Sequence, residues 1–296
     1  MSALTRRGLA AGVAAVAASA AWAGPRDPAV RVADIGGGVR LHYVEMGQGE
    51  PVVFVHGSLS DGSYWNDQLP AFAAAGRRAI AYSRRYNWPN ENPAIDGYSA
   101  VTDGEDLADF IHALGLGQAH VVGHSYGAFA ALFLAARRPD LVRTVVLAEP
   151  PAVSLLAHVP GAHAAAGRAA LADIEVRMIA PMRTQFLLGD REAGVRVFMD
   201  YVFGHPGAWD AMSRAARGET MKDAHEWDVM LTSGVLFPQI RPEEVRRIAA
   251  PALLLSGAKS YPFLGLSDEA LMALLPNAHR IVFPSATHQM WLQEPD

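Results

Sequence analysis

One serine lies in a short glycine-flanked motif between a strand pattern and a helix pattern. The motif is G-H-S-Y-G over residues 123–127, with Ser125 at its centre; apolar Val121 and Val122 precede it and an alanine-rich stretch follows. A turn of this G-x-S-x-G form has no room for side chains on either flank, so glycine stands two residues before and two after the serine. The hydroxyl then projects over the start of a helix, where free N–H groups favour a developing anion. The motif predicts a nucleophilic serine.

Ser125 needs a base, because a free serine hydroxyl is almost wholly protonated at neutral pH. His288 is the candidate among the eleven histidines, since it alone lies in a loop directly after the last predicted strand, residues 279–283. We expect His124 to be structural, because the tight turn directs its side chain away from the serine. His56 is expected to pack or hydrogen-bond within its own turn.

The segments that must position these residues alternate between strands and helices. Strands are predicted over residues 39–45, 51–55, 78–82, 144–147, 251–257 and 279–283, together with the strand that ends at Val122. Helices are predicted over residues 64–75, 100–114 and 267–275 and from Tyr126 onward. Continuous apolar strands fit a parallel sheet that is covered on both faces. The order predicts an α/β fold with a doubly wound, mostly parallel sheet and helices on both faces.

The alternation stops between residue 150 and about residue 242. This segment has several helical stretches rich in Ala, Arg and Met that are broken at prolines and glycines. It is too long for a simple connection and is predicted to be a helical cap, inserted before the penultimate strand and over the carboxyl ends of the strands. The predicted organisation is an export signal over 1–23, a core over 24–149 and 243–296, and the cap over 150–242.

The composition indicates a globular protein that acts on small molecules. The chain has 296 residues, of which 51% are hydrophobic and 19% charged, with a formal net charge of −5. This charge gives no basic patch for nucleic acid. The chain has no cysteine, which excludes disulfides and a thiol nucleophile. No metal site and no cofactor are predicted.

The first 23 residues predict a targeting segment. Arg6 and Arg7 form a basic start, residues 9–21 are small or apolar, and A-W-A over 21–23 has the small-x-small form of a cleavage site. The arginine pair looks like a twin-arginine signal. We therefore expect a bacterial protein that is exported to the periplasm or secreted, with no stable membrane insertion once the signal is removed.

From about Val39 to its end, the chain resembles the α/β-hydrolase fold family, in a serine esterase-like or lactonase-like branch with a helical cap. The resemblance is carried by the 123–127 motif, by H-G at residues 56–57, by the predicted cap and by A-T-H at residues 286–288. Ser125 and His288 keep the family order of serine, acid and histidine. The chain ends at Asp296, where the family usually continues into a final helix, so either the sequence is truncated or that helix is short.

The resemblance implies further site residues. The oxyanion hole is expected from two backbone N–H groups, those of Ser58 and Tyr126. Tyr64, Trp65 and Trp209 are candidates for the substrate pocket, although burial under or within the cap would explain these aromatic residues equally well. Such walls would suit an apolar substrate.

The triad acid is the point at which the sequence departs from the family. The acid usually follows the strand after the cap, but residues 258–260 contain no aspartate, and Asp268 lies further on in a predicted helix. The strand before the cap ends at Glu149, a position that supplies the acid in some relatives. Glu149 is therefore predicted to be the triad acid, and Asp268 is the alternative.

The resemblance implies a cofactor-free serine hydrolase that cleaves a carboxylic ester or a lactone through an acyl-enzyme on Ser125. A serine nucleophile argues against the dehalogenase and epoxide-hydrolase branches, which use aspartate. Three alternatives stay open: a carbon–carbon bond hydrolase, a perhydrolase or haloperoxidase-like enzyme with the same triad, and a catalytically silent binding protein of the same fold. The sequence does not decide the oligomeric state.

Overall fold

The computed structural model describes residues 28–232 and 234–294. The predicted export signal, residues 1–23, lies outside these described residues. None of the helices in the described part of the chain is both long and apolar enough to cross a membrane.

Eight strands of the described chain form one sheet in the order β1-β2-β4-β3-β5-β6-β7-β8. The strands are β1 (Arg31–Asp34), β2 (Arg40–Met46), β3 (Glu50–Val55), β4 (Arg77–Tyr82), β5 (Ala119–His124), β6 (Val142–Ala148), β7 (Ala252–Gly257) and β8 (Ala278–Phe283). The β1–β2 and β2–β4 pairs are antiparallel. The other five pairs in this order, from β4–β3 to β7–β8, are parallel. The predicted mostly parallel α/β sheet is confirmed.

The central strands are apolar because both of their faces are covered. β3 and β5 bury four or more successive residues, as expected for parallel strands between two helical layers. The covering helices in the core are α1 (Leu69–Ala74), α2 (Ala100–Ala113), α3 (Tyr126–Arg137), α11 (Pro262–Leu274) and α12 (Met290–Gln293). Ser99 caps α2, since its side chain accepts a hydrogen bond from the Val101 amide.

The segment between β6 and β7 is helical. It contains α4 (Ala164–Ile174), α5 (Ala180–Leu187), α6 (Arg191–Val202), α7 (Ala208–Ala211), α8 (Arg214–Lys222), α9 (Ala224–Thr232) and α10 (Pro242–Arg246). A single π-helical turn, Glu175–Ile179, joins α4 to α5. We call the described residues between 150 and 242 the cap.

Two predicted helices have different limits in the structure. The helix predicted over residues 64–75 is a 3₁₀ turn, Gly62–Trp65, followed by the short α1. Pro70 lies in the first turn of α1, where its fixed φ favours a helix start and cannot continue an earlier helix. The helix predicted from residue 267 begins at Pro262, a helix-starting proline that the apolar pattern does not reveal. The sequence prediction also missed the edge strand β1.

Candidate active site

The turn from β5 to α3 holds Ser125 in a strained conformation. Ser125 has φ 53° and ψ −122°, a region that non-glycine residues enter only where the surroundings impose it. A Cβ at Gly127 would lie 2.3 Å from the carbonyl oxygen of His56, so the turn and the loop after β3 are in backbone contact. The neighbours of Ser125 in the motif are buried, whereas Ser125 itself is partly exposed. The structure thus has the local geometry of a nucleophile elbow.

His288 lies in the loop after β8 and is held by the residue next to the serine. The ring Nε2 of His124 is 2.9 Å from the backbone carbonyl of His288, and only a donating N–H can satisfy that carbonyl. The His124 ring is stacked on Tyr64 with centroids 5.2 Å apart. Burial, with His288 close by, holds the pKa of His124 well below its usual value, so this ring is neutral. His124 thus supports the loop that carries His288.

Glu149 follows the last residue of β6 and contacts His288 directly. Its carboxylate Oε2 is hydrogen-bonded to His288 Nδ1 and accepts from the Ser260 hydroxyl at 2.6 Å. Its Oε1 accepts from the Gly257 amide at 2.8 Å. The side chain is fully buried, and φ is 50°. The three donors fix the carboxylate on the imidazole ring.

Asp268, the alternative acid, is buried elsewhere. Its Oδ2 accepts from the Ser256 hydroxyl at 2.5 Å and lies 3.7 Å from an Arg280 guanidinium nitrogen. Burial raises the pKa of Asp268 to about 8. Among the hydrogen bonds of residues 28–232 and 234–294, none joins Asp268 to His288.

The backbone is strained at the carboxyl ends of the strands that lead to Ser125 and Glu149. In the described chain the non-glycine residues with positive φ are Leu59, Ser125 and Glu149. They follow β3, β5 and β6, three neighbouring strands whose carboxyl ends meet there. Ligands of open α/β sheets bind at this edge.

Two backbone amides are free to bind an oxyanion next to Ser125. Tyr126 is the first residue of α3, so its N–H has no partner within the helix. The Ser58 N–H makes no hydrogen bond to another described residue. A Cβ at Gly57 would lie 2.9 Å from Ser125 Cβ, so only glycine lets the loop come this close. Within the described part of the chain, neither of the two amides predicted for the oxyanion hole has a hydrogen-bond partner.

Two cavities meet at Ser125 and His288. One has a volume of about 240 Å³ and the other of about 40 Å³. The two cavities share the wall residues Ser58, Ser125, Phe198, Val202, Tyr261 and His288. In the described structure, no hydrogen bond joins the side chains of Ser125 and His288. Hydrogen bonds between catalytic side chains are often long without substrate and shorten only when substrate binds.

The two cavities differ in chemistry. Apart from the shared wall and Tyr126, the small cavity is lined by apolar residues of the cap and of α11, among them Met178, Met182, Trp227, Leu236, Phe237 and Phe263. The large cavity also has polar walls, which include Asp61, Asn66, Asp67, Glu219, Thr220 and Asp223. Burial raises the pKa of Asp223 to about 7.

The three predicted pocket aromatics lie in different places. Tyr64 lines the large cavity, where its hydroxyl donates to Gln289 at 2.5 Å. Trp65 is buried against Phe54 and lies outside the walls of both cavities. Trp209 is also buried away from them, with its indole N–H donating to Glu192 at 3.0 Å. Trp65 and Trp209 are thus core residues, the alternative explanation for these aromatics.

Sequence reasoning missed several cap residues that line the cavities at Ser125, such as Val202 on α6, Met178 and Met182. Their apolar spacing on a helix is the same as that of cap residues in the core, so it carries no signal for the site. No group of three or more His, Cys, Asp or Glu residues suited to a metal ion occurs in the described chain.

The mostly parallel sheet, the serine elbow and the histidine after the last strand together define an α/β hydrolase. The chain belongs to the alpha/beta hydrolase family, whose model matches residues 52–296.

Two relatives are similar to a part of this chain. Bifunctional epoxide hydrolase 2 of Sus scrofa is 37% identical over 115 residues, which is 38% of this chain and 21% of that protein. The non-heme chloroperoxidase CPO-A1 of Kitasatospora aureofaciens is 43% identical over 90 residues, 30% of this chain and 32% of that protein. The chain thus matches a third or less of the length of these two relatives.

The fold is shared with solved structures over almost the whole chain. The enol-lactonase from Burkholderia xenovorans LB400 has a TM-score of 0.67 and 19% identity, covering 89% of this chain and 95% of that one. At this identity, the likeness shows the fold alone.

Proposed function

We propose that the protein is a serine hydrolase that cleaves a carboxylic ester or a lactone through an acyl-enzyme on Ser125. The observation that carries the proposal is the contact between His288 Nδ1 and Glu149 Oε2, at the cavity wall that both Ser125 and His288 line. An imidazole held in this way has its other nitrogen free to serve a serine hydroxyl.

The acylation step follows from these positions. Ser125 Oγ attacks the carbonyl carbon while His288 Nε2 takes the hydroxyl proton, and Glu149 stabilises the imidazolium that forms. The Ser58 and Tyr126 amides bind the oxygen that becomes negative. When the carbon–oxygen bond to the leaving alcohol breaks, His288 returns the proton to that alcohol.

Deacylation repeats the chemistry with water. His288 accepts a proton from water, the hydroxide attacks the acyl-enzyme carbonyl, and the proton then returns to Ser125 as the carboxylic acid leaves. In a lactone the alcohol and the acid belong to one molecule, so the product is a hydroxy acid.

The two cavities suggest which part of the substrate binds on each side of Ser125. The apolar walls of the small cavity suit the acyl group, and its volume of about 40 Å³ is only roughly three times the 10–15 Å³ that one water-sized group needs. The polar walls of the large cavity suit the alcohol part, which must leave towards water. We therefore propose a short acyl chain of about two to four carbons.

A serine-directed fluorophosphonate and a series of p-nitrophenyl esters test this function. We expect the probe to label Ser125, and kcat/KM to be highest for the acetyl to butyryl esters and at least tenfold lower for the dodecanoyl ester. If the folded protein is neither labelled nor active on any ester or lactone, it is a silent binding protein and the proposal is wrong. Efficient hydrolysis of long chains alone would contradict the assignment of the acyl pocket.

A second candidate function is suggested by the 43% identity to the non-heme chloroperoxidase. This function is that of a perhydrolase or haloperoxidase-like enzyme with the same triad. Hydrogen peroxide then replaces water in deacylation, so that the acyl-enzyme gives a peracid and free Ser125. Halide oxidation by the peracid is measured in acetate buffer with peroxide and bromide. Peracid formation faster than ester hydrolysis would favour this function over the first.

A further inference from the structure

One carboxylate of the cap is bonded to the loop that carries the Ser58 amide. Glu226 on α9 is fully buried, and its Oε1 accepts from the Leu59 amide at 2.5 Å across 167 residues of chain. Its Oε2 pairs with the guanidinium of Arg84. One oxygen of Glu226 therefore bonds to the loop after β3, and the other bonds to Arg84, which follows β4.

Arg84 bonds to the two residues of this loop that precede Ser58. It is fully buried, and its guanidinium is shared between Glu226 and Asp103, with 2.6 Å to Asp103 Oδ2. The same guanidinium donates to the carbonyl of Gly57 at 3.2 Å and to that of His56 at 3.2 Å. A buried cation between two carboxylates has a fixed position, because moving it would leave charges unpaired.

His56 also donates a hydrogen bond to the Gly57 carbonyl. Its Nε2 accepts from the Arg84 amide at 2.9 Å, so its Nδ1 carries the proton and donates to Gly57 O at 2.8 Å. Burial and the charge of Arg84 hold the pKa of His56 well below its usual value, in agreement with a neutral ring.

These bonds fix both peptide units next to Ser58. The Gly57 carbonyl and the Ser58 N–H belong to one planar peptide unit, and the Ser58 carbonyl and the Leu59 N–H belong to the next. Arg84 and His56 orient the first unit, and Glu226 orients the second. Leu59 has φ 54°, a conformation that persists only when neighbouring groups impose it.

We propose that Glu226 is a positioning residue, through which the docked cap holds the Ser58 N–H in line with the oxyanion. The proposal rests on the hydrolase function above. Glu226 touches neither Ser125 nor His288 among the described contacts, so it acts on the oxyanion hole and leaves proton transfer alone.

The test is Glu226→Gln in the full-length protein, with Asp228→Asn as the matched control. Asp228 lies two residues further along α9 and pairs with Arg191 on the cap surface. We expect Glu226→Gln to lower kcat by about 10- to 100-fold with KM changed less than about threefold, because a misaligned donor loses binding mainly in the transition state. The pH profile of kcat should keep its shape, and Asp228→Asn should equal wild type.

Two readouts separate positioning from a general loss of structure. The rate is divided by the amount of enzyme labelled to completion with fluorophosphonate, which removes any unfolded fraction. The inhibition constant of phenylboronic acid, whose serine adduct has an oxyanion-like oxygen, should rise by a factor similar to the fall in kcat. If Glu226→Gln does not fold, Glu226→Asp, which keeps the charge on Arg84 but is one methylene shorter, is judged by the same readouts.

An unchanged kcat per labelled site, or an equal loss in Asp228→Asn, would overturn the role of Glu226. Failure of the wild-type protein to be labelled or to hydrolyse esters would instead overturn the hydrolase function. The two failures are therefore distinguishable.

Discussion

The imidazole Nδ1 of His288 and the carboxylate Oε2 of Glu149 are in direct contact, although 139 residues separate them in the chain. The contact exists because β6 and β8 flank β7 in the sheet, so that loops after β6 and β8 meet over the end of β7. Gly257 at the end of β7 and Ser260 just after it donate to the same carboxylate.

The identity of the acid is tested by two amide substitutions. Glu149→Gln keeps the size of the side chain but can present an N–H to the imidazole, so kcat should fall by up to about 10⁴-fold. Asp268→Asn should change kcat less than about threefold, since Asp268 bonds to Ser256 and not to His288. Both variants are assayed on one activated ester. A nearly active Glu149→Gln beside an inactive Asp268→Asn would reverse the assignment.

Ser125 and His288 are expected to act as one unit. Ser125→Ala or His288→Ala should each lower kcat by about 10⁴- to 10⁶-fold while the protein stays folded, and the double variant should be hardly slower than either single one. Circular dichroism and thermal melting check the fold. Losses that multiply in the double variant would mean that the two side chains work independently.

The close contact at Gly57 predicts that alanine lowers activity at this position but not at the control position Gly218. In Gly57→Ala the new Cβ would lie 2.9 Å from Ser125 Cβ and 3.3 Å from His124 Nδ1, so the loop must retreat and move the Ser58 amide. We expect kcat to fall by about 10- to 100-fold. Gly218→Ala, at an exposed position of α8, is the control: no atom lies within 4 Å of its Cβ, so activity should stay and stability should rise by about 0.5–1 kcal/mol. Equal activity of the two variants would argue against this oxyanion loop.

The buried Asp268 predicts a stability that falls as pH rises. Burial raises its pKa to about 8 in the folded protein, whereas in an unfolded chain it is about 4. Between these values the folded state holds a proton that the unfolded state has lost, so this stabilisation is complete below about pH 4 and is gone above about pH 8. Asp268→Asn removes the titration.

Urea unfolding at pH 6 and pH 8.5 measures the effect. The loss of unfolding free energy between these values should be about 2–3 kcal/mol smaller in Asp268→Asn than in wild type. Glu91→Gln, at an exposed position, serves as the control and should keep the wild-type difference. Asp223, whose pKa burial raises to about 7, changes stability in the same direction in all three proteins. An Asn variant with the full wild-type pH dependence would contradict the prediction.

The sequence alone determined the features that depend on neighbouring residues. The elbow around Ser125 follows from steric limits within five residues, and the alternation of apolar strands with helices is a local pattern that predicted the α/β sheet. The approach of the loop at Gly57 could also be expected, because a glycine after an apolar strand carries its own conformational signal.

Only the tertiary structure decided the contacts between distant segments. Trp65 and Trp209 are in the core while Tyr64 lines the cavity, a difference that depends on how the cap packs and that aromatic composition does not encode. The contact of Glu149 with His288, and that of Glu226 with Leu59, each need two segments more than a hundred residues apart to meet at hydrogen-bond distance. Local steric rules act over a few residues, whereas the order of strands in the sheet and the docking of the cap set these distances.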